Sequence, residues 1–428
     1  MNQEDIIRIQ QFNQFKKEIR GNEDYLIIGI DVGKDKHHAF MGTATGRTLL
    51  RRLIFENNLD GFRKLLVQAE AVQVQNALKS SVFGMEPTGN YHKPLGSYLI
   101  GQNRQVVLAS GVAVRRNREL LDGRWDKHDS KDAANVADLI SQGKSLFYEY
   151  SSADIVELRT LLSFRKRLKK EEHSLQMRIR NNLLAKHFPE MDRFYGQCDR
   201  ESLAIVYWCL DPRKICGMEF GIFFSMVTTR DKGLAQQRRL RAIWEAAFKS
   251  VGCAVDGASE FEAQVLVEKI LQVRKDIKAT NVFIERVCNR FSHYRFLLTI
   301  PGFGPYVSAM VLAIISDPWR FENQSQVLKM AGYDLSAVRS GKSSQEAVPV
   351  ISKKGNANLR YALYQAAFIA SVRNLDFLKY YTNMLRGREG ERGIKTKMRV
   401  KLAAKMLVIA WTLMKKKEPF NPDYLNIE

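Results

Sequence analysis

Hydrophobic and polar positions change their period along the chain. YLIIGID (residues 25–31) is a short, β-rich apolar run that ends on Asp31. After a glycine turn, HHAFMGTATG and TLLRRLIF read as strands joined by tight turns. Residues 59–79 place Phe62, Leu65, Leu66 and Ala69 at helical spacing. SVFGMEP predicts a strand ending at Glu86, QVVLAS predicts another, and residues 130–142 predict a helix. Alternating strands and helices predict an α/β domain over residues 25–150, behind an N-terminal extension, residues 1–24.

Beyond residue 151 the β signal disappears. Leu158, Leu161, Leu168, Leu175 and Ile179 sit at heptad-compatible spacings on a charged helix, residues 152–188. Residues 260–293 are more regular. Leu266, Ile270, Val273, Ile277, Thr280, Ile284, Val287 and Phe291 step 4-3-4-3-4-3-4, and only Thr280 is polar. That is a coiled-coil seam. The two helices can pair as an antiparallel hairpin or meet another subunit. They define a coiled-coil region, residues 151–296, interrupted by an aromatic-rich helical insertion near 190–258. The rest, residues 297–428, reads as a mainly α-helical C-terminal domain, with helices over 324–332 and 356–372.

Composition narrows the function. The chain has 428 residues with 67 basic against 46 acidic side chains, a net charge of +21. Such a charge wants a polyanion, and nucleic acid is the first candidate. Residues 329–417 hold 19 Lys and Arg against 5 Asp and Glu, so two thirds of the excess lies in about a fifth of the chain. The five cysteines include no CxxC pair, which argues against a disulfide framework or a thiolate zinc site. The N-terminal stretch is polar, and no apolar run approaches the roughly 20 residues of a membrane span. The expectation is a cytoplasmic protein with no membrane partner.

In so basic a chain, carboxylates at element ends stand out. Asp31 closes the first strand and Glu86 a later one. Asp129 and Asp132 open the helix after DKHDSKDA, at a spacing that puts both on one helical face. Each alone reads as a turn or cap residue. Together they could converge on one sheet edge, where ionised carboxylates need a cation. Mg²⁺ takes such oxygen ligands and can stabilise a phosphodiester displacement. Asp126 is a fifth candidate of lower rank. His37, His38, His92 and His128 lie in the same motifs. Loop hydrogen bonding is their plainer reading, and phosphate contact or proton transfer the functional one.

IGIDVGKD, MEPTGNYH and KHDSKDA, in this order and spacing, resemble the RuvC-like, ribonuclease-H-fold DEDD domain of the insertion-sequence 110 family transposases, which include the Piv-type DNA invertases. The resemblance implies that Asp31, Glu86, Asp129 and Asp132 are catalytic and hold Mg²⁺, with Mn²⁺ as a substitute. Related sequences usually carry Thr where this chain has His128.

IPGFGPYVSAMVLA resembles a helix-hairpin-helix turn, whose glycines let a backbone approach a phosphate. An ordinary packing corner reads the same way. Downstream, Ser340 lies between Arg339 and Gly341-Lys342, a setting suited to a nucleophile attacking a phosphodiester. Ser336, Ser343 and Ser344 lie close by, and chemistry alone does not choose among them. The resemblance does. AGYDLSAVRSGKSS followed by ISKKGNANLRYALYQAA is similar to the family's C-terminal transposase domain, where the serine before glycine is the nucleophile, here Ser340. Arg339, Lys342, Lys353, Lys354, Asn356 and Arg360 then become nucleic-acid contacts, against the alternative of a solvated helix start.

The resemblance implies a DNA recombinase of a mobile element. It would act on donor and target DNA through a covalent serine–DNA intermediate, guided by a non-coding bridge RNA and working as a homo-oligomer, a dimer or tetramer. About 200 residues separate the acids from the serine. The long helices would therefore let one subunit's acids meet another's serine. Two other classes stay open from the residues alone. A junction-resolvase-like Mg²⁺ nuclease needs the acids but not Ser340. A non-enzymatic nucleic-acid-binding protein needs neither.

Overall fold

A computed structural model describes residues 3–121, 129–148, 152–196, 198–336 and 350–425. The chain divides into two compact units, Met1–Ser151 and Ser152–Glu428.

Unit 1 is a mixed sheet with helices on both faces. Its elements in chain order are α1 (Gln3–Glu18), β1 (Tyr25–Asp31), β2 (Lys36–Thr43), β3 (Thr48–Glu56), α2 (Leu59–Gln75), β4 (Ser80–Met85), α3 (His92–Gly101), β5 (Gln105–Leu108), α4 (Gly111–Leu121), α5 (Asp129–Ser141) and β6 (Leu146–Phe147). The strand order is β3-β2-β1-β4-β5-β6. β1 runs antiparallel to β2 and parallel to β4, and β4 runs parallel to β5.

Period-two alternation splits β1 between two cores. Leu26, Ile28 and Ile30 pack with α2 and α3, through Phe62, Leu65, Leu95 and Leu99. Ile27 faces the other way and packs with Phe15 of α1, with Ile19 just beyond that helix, and with Val136, Ala137 and Ile140 of α5. Polar α1, read from sequence only as an extension, is thus a covering helix for the second face.

Two glycines set how closely α5 lies on the sheet. Gly29 and Gly84 are Cα partners across β1 and β4. A Cβ on Gly29 would collide with the backbone of Ala133 and Ala137, and one on Gly84 with the Ile140 side chain. The helix therefore rests against strand backbone, where a larger residue would hold it off.

Unit 2 is mostly helical. It comprises α6 (Ala153–Arg178), a π-helical turn (Ile179–Leu184), α7 (Ala185–His187), α8 (Asp192–Tyr195), α9 (Arg200–Cys209), α10 (Pro212–Cys216), α11 (Phe220–Val227), α12 (Leu234–Ala247), α13 (Gly257–Cys288), α14 (Tyr294–Leu297), α15 (Pro305–Ile315) and α16 (Gln324–Ala331). The short strands β7 (Leu335–Ser336) and β8 (Val350–Ile351) and helices α17 (Ala357–Arg373), α18 (Leu375–Leu385) and α19 (Ile394–Lys416) follow. Asp199, Asp211, Asp256, Asn323, Asn356 and Asn374 each accept a backbone N–H at a helix start. Such caps stop a helix at the residue the sequence dictates.

Helices α6 and α13 pair antiparallel within the chain. Arg290 reaches Asp154 and Glu157, Arg165 donates to Asn281, and Arg274 pairs with Glu172. The seam residues of α13 are buried, and they serve two cores. Leu266, Ile270, Val273 and Ile277 join the core of the insertion, while Ile284 and Val287 join that of the C-terminal helices. Thr280 sits at the boundary, its hydroxyl donating to the Asp276 carbonyl at 2.7 Å.

The Gly-Phe-Gly turn is largely a packing corner. Gly302 has φ +87°, and a Cβ there would collide with the Ala366 carbonyl of α17. Phe303 is buried, and only Gly304, at the start of α15, faces open space.

Candidate active site

Alternation along the two central strands decides where the acids lie. Asp31 shares the parity of Ile27 and Gly29, and Glu86 that of Val82 and Gly84. Both therefore belong to the α5 face, at the carboxyl ends of neighbouring parallel strands. Asp132 reaches the same edge from the first turn of α5 and is 4 % exposed.

Asp31, Glu86 and Asp132 line one cavity of about 440 Å³, with Val32, Gly33, Lys36, His38, Thr88 and Arg118. Arg118 of α4 holds Asp132, with Nη2 2.7 Å from Oδ1. A Cβ on Gly111, the first residue of α4, would stand 2.7 Å from Glu86 Oε1. That glycine leaves room for the carboxylate beside a helix N-terminus, where negative charge is favoured. Asp129 begins α5 one turn before Asp132. Its side chain lies outside the described residues, as do Asp126 and His128.

Among the described residues, no three His, Cys, Asp or Glu side chains are drawn close enough to hold a metal ion by themselves. The donors facing the cavity are nonetheless carboxylate oxygens, and the space admits a hard cation with retained water and a phosphate oxygen. In chemistry the residues present fit Mg²⁺ or Mn²⁺.

The adjacent histidines part company. His38 lies in register with Asp31 and lines the cavity. His37 points to the opposite face, fully buried, 5.1 Å from the Phe55 ring and stacked on Phe62 at 6.2 Å. Burial pushes its pKa below the ordinary histidine value, with Asn57 opposing. An unfolded chain binds this proton near pH 6.5, while the folded chain resists it to lower pH. The contribution of His37 to stability is therefore flat above about pH 6.5 and falls as the pH drops below it. His37→Phe is expected to flatten part of the acid-side loss. Urea midpoints at pH 8 and pH 5 check this, and an unchanged pH slope would contradict it.

In unit 2, Ser340, Arg339 and Lys342 lie outside the described residues. The chain on either side of them is pinned together. Leu335 pairs with Ile351 and Ser336 with Val350, and Gly355 packs so tightly on Gly332 that a Cβ would collide with backbone. Lys353 and Lys354 are exposed. Asn356 and Arg360 also have partners within the fold: Asn356 caps α17, and Arg360 donates to the Ala331 carbonyl at 2.9 Å. Sequence reasoning missed Arg118, Lys36 and Thr88. The only signal for Arg118 was its place on a helix just before the acidic motif.

Among the described residues, no helix is long and apolar enough to cross a membrane. Two family models match successive stretches of the chain. Residues 28–189 match the DEDD transposase model of the IS110 group. Residues 294–382 match the model described as transposase, IS116/IS110/IS902 family. An uncharacterized 44.8 kDa protein of insertion element IS116 from Streptomyces clavuligerus is 23% identical over 93% of this chain and 97% of its own length. An uncharacterized 43.6 kDa protein of insertion element IS110 from Streptomyces coelicolor is 24% identical over 80% of this chain and 83% of its own. With both transposase models matched in order and relatives aligned along most of its length, the chain belongs to the IS110 family of transposases.

Proposed function

We propose that this transposase cuts and rejoins DNA through a covalent serine–DNA intermediate. The observation that carries the reading is the meeting of Asp31, Glu86 and Asp132 around one cavity in a chain of this family. The strand order β3-β2-β1-β4-β5, with α5 across the central pair, supports a ribonuclease-H-like reading of unit 1.

Asp31, Glu86 and Asp132, with Asp129 one turn away, would hold Mg²⁺ or Mn²⁺. The bound ion would stabilise charge on the scissile phosphate. Lys36, which pairs with Glu56, and His38 line the same cavity, where they would contact a phosphate. Arg118 keeps the Asp132 carboxylate aimed at the cavity. The Ser340 hydroxyl attacks phosphorus. Its Oγ–P bond forms, the bond to the leaving strand's oxygen breaks, and that oxygen takes up a proton. The serine ester keeps the phosphodiester energy, so attack by another strand's hydroxyl rejoins DNA and frees the serine.

Arg339, Lys342, Lys353 and Lys354 neutralise backbone phosphates. A non-coding guide RNA pairs with donor and target DNA and supplies the choice of sequence, while the basic surface supplies affinity. The working form is a homo-oligomer, a dimer or tetramer, acting on the prokaryotic nucleoid.

The test is recovery of covalent protein–DNA adducts from purified protein, co-expressed RNA, Mg²⁺ and element-end DNA. Wild type should form the adduct, and Ser340→Ala and Asp129→Ala should both lose it. Cleavage without an adduct, untouched by Ser340→Ala, would replace this reading with a resolvase-like nuclease.

A further inference from the structure

Helices α6, α9 and α13 enclose a groove of about 920 Å³ in the insertion half of unit 2. Its apolar lining includes Leu203 and Val267, both buried, and the exposed Leu271. On its rim stands Trp208, 54 % exposed, with the Tyr207 ring edge-on at 4.7 Å. The groove's carboxylates are engaged. Glu172 pairs with Lys169 and Arg274, each at 2.8 Å, and Glu268 accepts the Tyr207 hydroxyl at 3.1 Å. The cations Arg200, Lys275 and Lys278 also line the groove and make no ion pair among the described residues.

We propose that this groove binds an unpaired strand of nucleic acid, with a base stacked on Trp208 and phosphates on Arg200, Lys275 and Lys278. Charge selects the occupant. Uncommitted cations beside neutralised carboxylates attract a polyanion and repel a second copy of this basic surface. The aromatic selects the form. A ring that is half exposed gains from a free base face, and paired bases in a duplex do not offer one. The proposal is independent of the serine chemistry and assigns a role to the insertion.

The test uses the full chain and a labelled six-nucleotide strand, prepared as RNA and as DNA, with fluorescence anisotropy at several salt concentrations. Trp208→Ala should weaken single-strand binding about tenfold, and Trp208→Phe should restore most of it. Lys275→Gln with Lys278→Gln should lower the salt slope by about 1.4, from two lost phosphate contacts. Ultraviolet crosslinking should mark the peptide carrying Tyr207 and Trp208. A loss confined to RNA, confined to DNA or common to both supports the groove and names the strand it holds. An unchanged affinity in Trp208→Ala overturns the proposal, and so does an equal loss for a six-base-pair duplex. A change in oligomeric state on Trp208→Ala, read by sedimentation, overturns it in favour of a second copy. Adduct formation at Ser340 is scored separately, so failure of one reading does not mimic failure of the other.

Discussion

Asp31→Asn is expected to lower DNA cleavage about a thousandfold or more, roughly 4 kcal/mol of barrier, while the fold stays intact. The residue ends β1 and lines the acidic cavity. The amide keeps the shape and one oxygen but removes the charge a divalent cation requires. The isosteric amide keeps the packing at the end of β1, so the thermal midpoint should shift by only a few degrees. A cleavage assay beside a thermal melt decides. Activity near wild type would exclude Asp31 from the chemistry, and lost activity with a lowered midpoint would reassign it to structure.

Gly29→Val is expected to destabilise unit 1 by about 3 kcal/mol or more, the upper part of the overpacking range. The new Cβ would meet the Ala133 carbonyl and the Ala137 N–H, both backbone atoms of α5. No rotamer relieves such a clash, so the helix must lift off the sheet. Asp132 rides on that helix, so activity should fall even in the fraction that folds. Gly84→Ala is the contrasting case. Its Cβ meets the tip of Ile140, which can turn aside, and the cost should be roughly 1–2 kcal/mol. Urea midpoints of the two variants measure the difference. Equal costs would show that α5 floats rather than rests on the strand.

Much of this site is legible in the sequence. Asp31 and Glu86 stand at strand ends because YLIIGID and SVFGME stop being apolar there. The sequence also carries a cue to the face the acids take. Gly29-Ile30-Asp31 and Gly84-Met85-Glu86 repeat one pattern, glycine two positions before the acid. With a period of two, that pattern states which face the acids take and that something packs close behind them. Arg118 was not legible, because its pairing with Asp132 depends on how α4 crosses α5, a tertiary fact. The same holds for Asn356 and Arg360. Their motif did not announce that Asn356 caps a helix and that Arg360 closes the end of α16. Polar side chains near a glycine turn satisfy backbone first, and composition does not reveal which ones do. The coiled-coil seam was legible in its spacing, but not that it divides between two cores.

That division has a consequence for how unit 2 comes apart. Helix α13 is 32 residues long, a rod of about 48 Å, and its ladder of hydrogen bonds runs without a break past Thr280. Each core shields only its own half of the rod. If either core opens, its stretch of helix loses its cover and frays toward the middle, and the break stops where the other core takes hold. Amide exchange along residues 257–288 should then show two plateaus of protection that meet near Thr280, with the slowest amides inside the more stable core. A helix-breaking Thr280→Pro would uncouple them into two separate melts, turning a single beam into two struts.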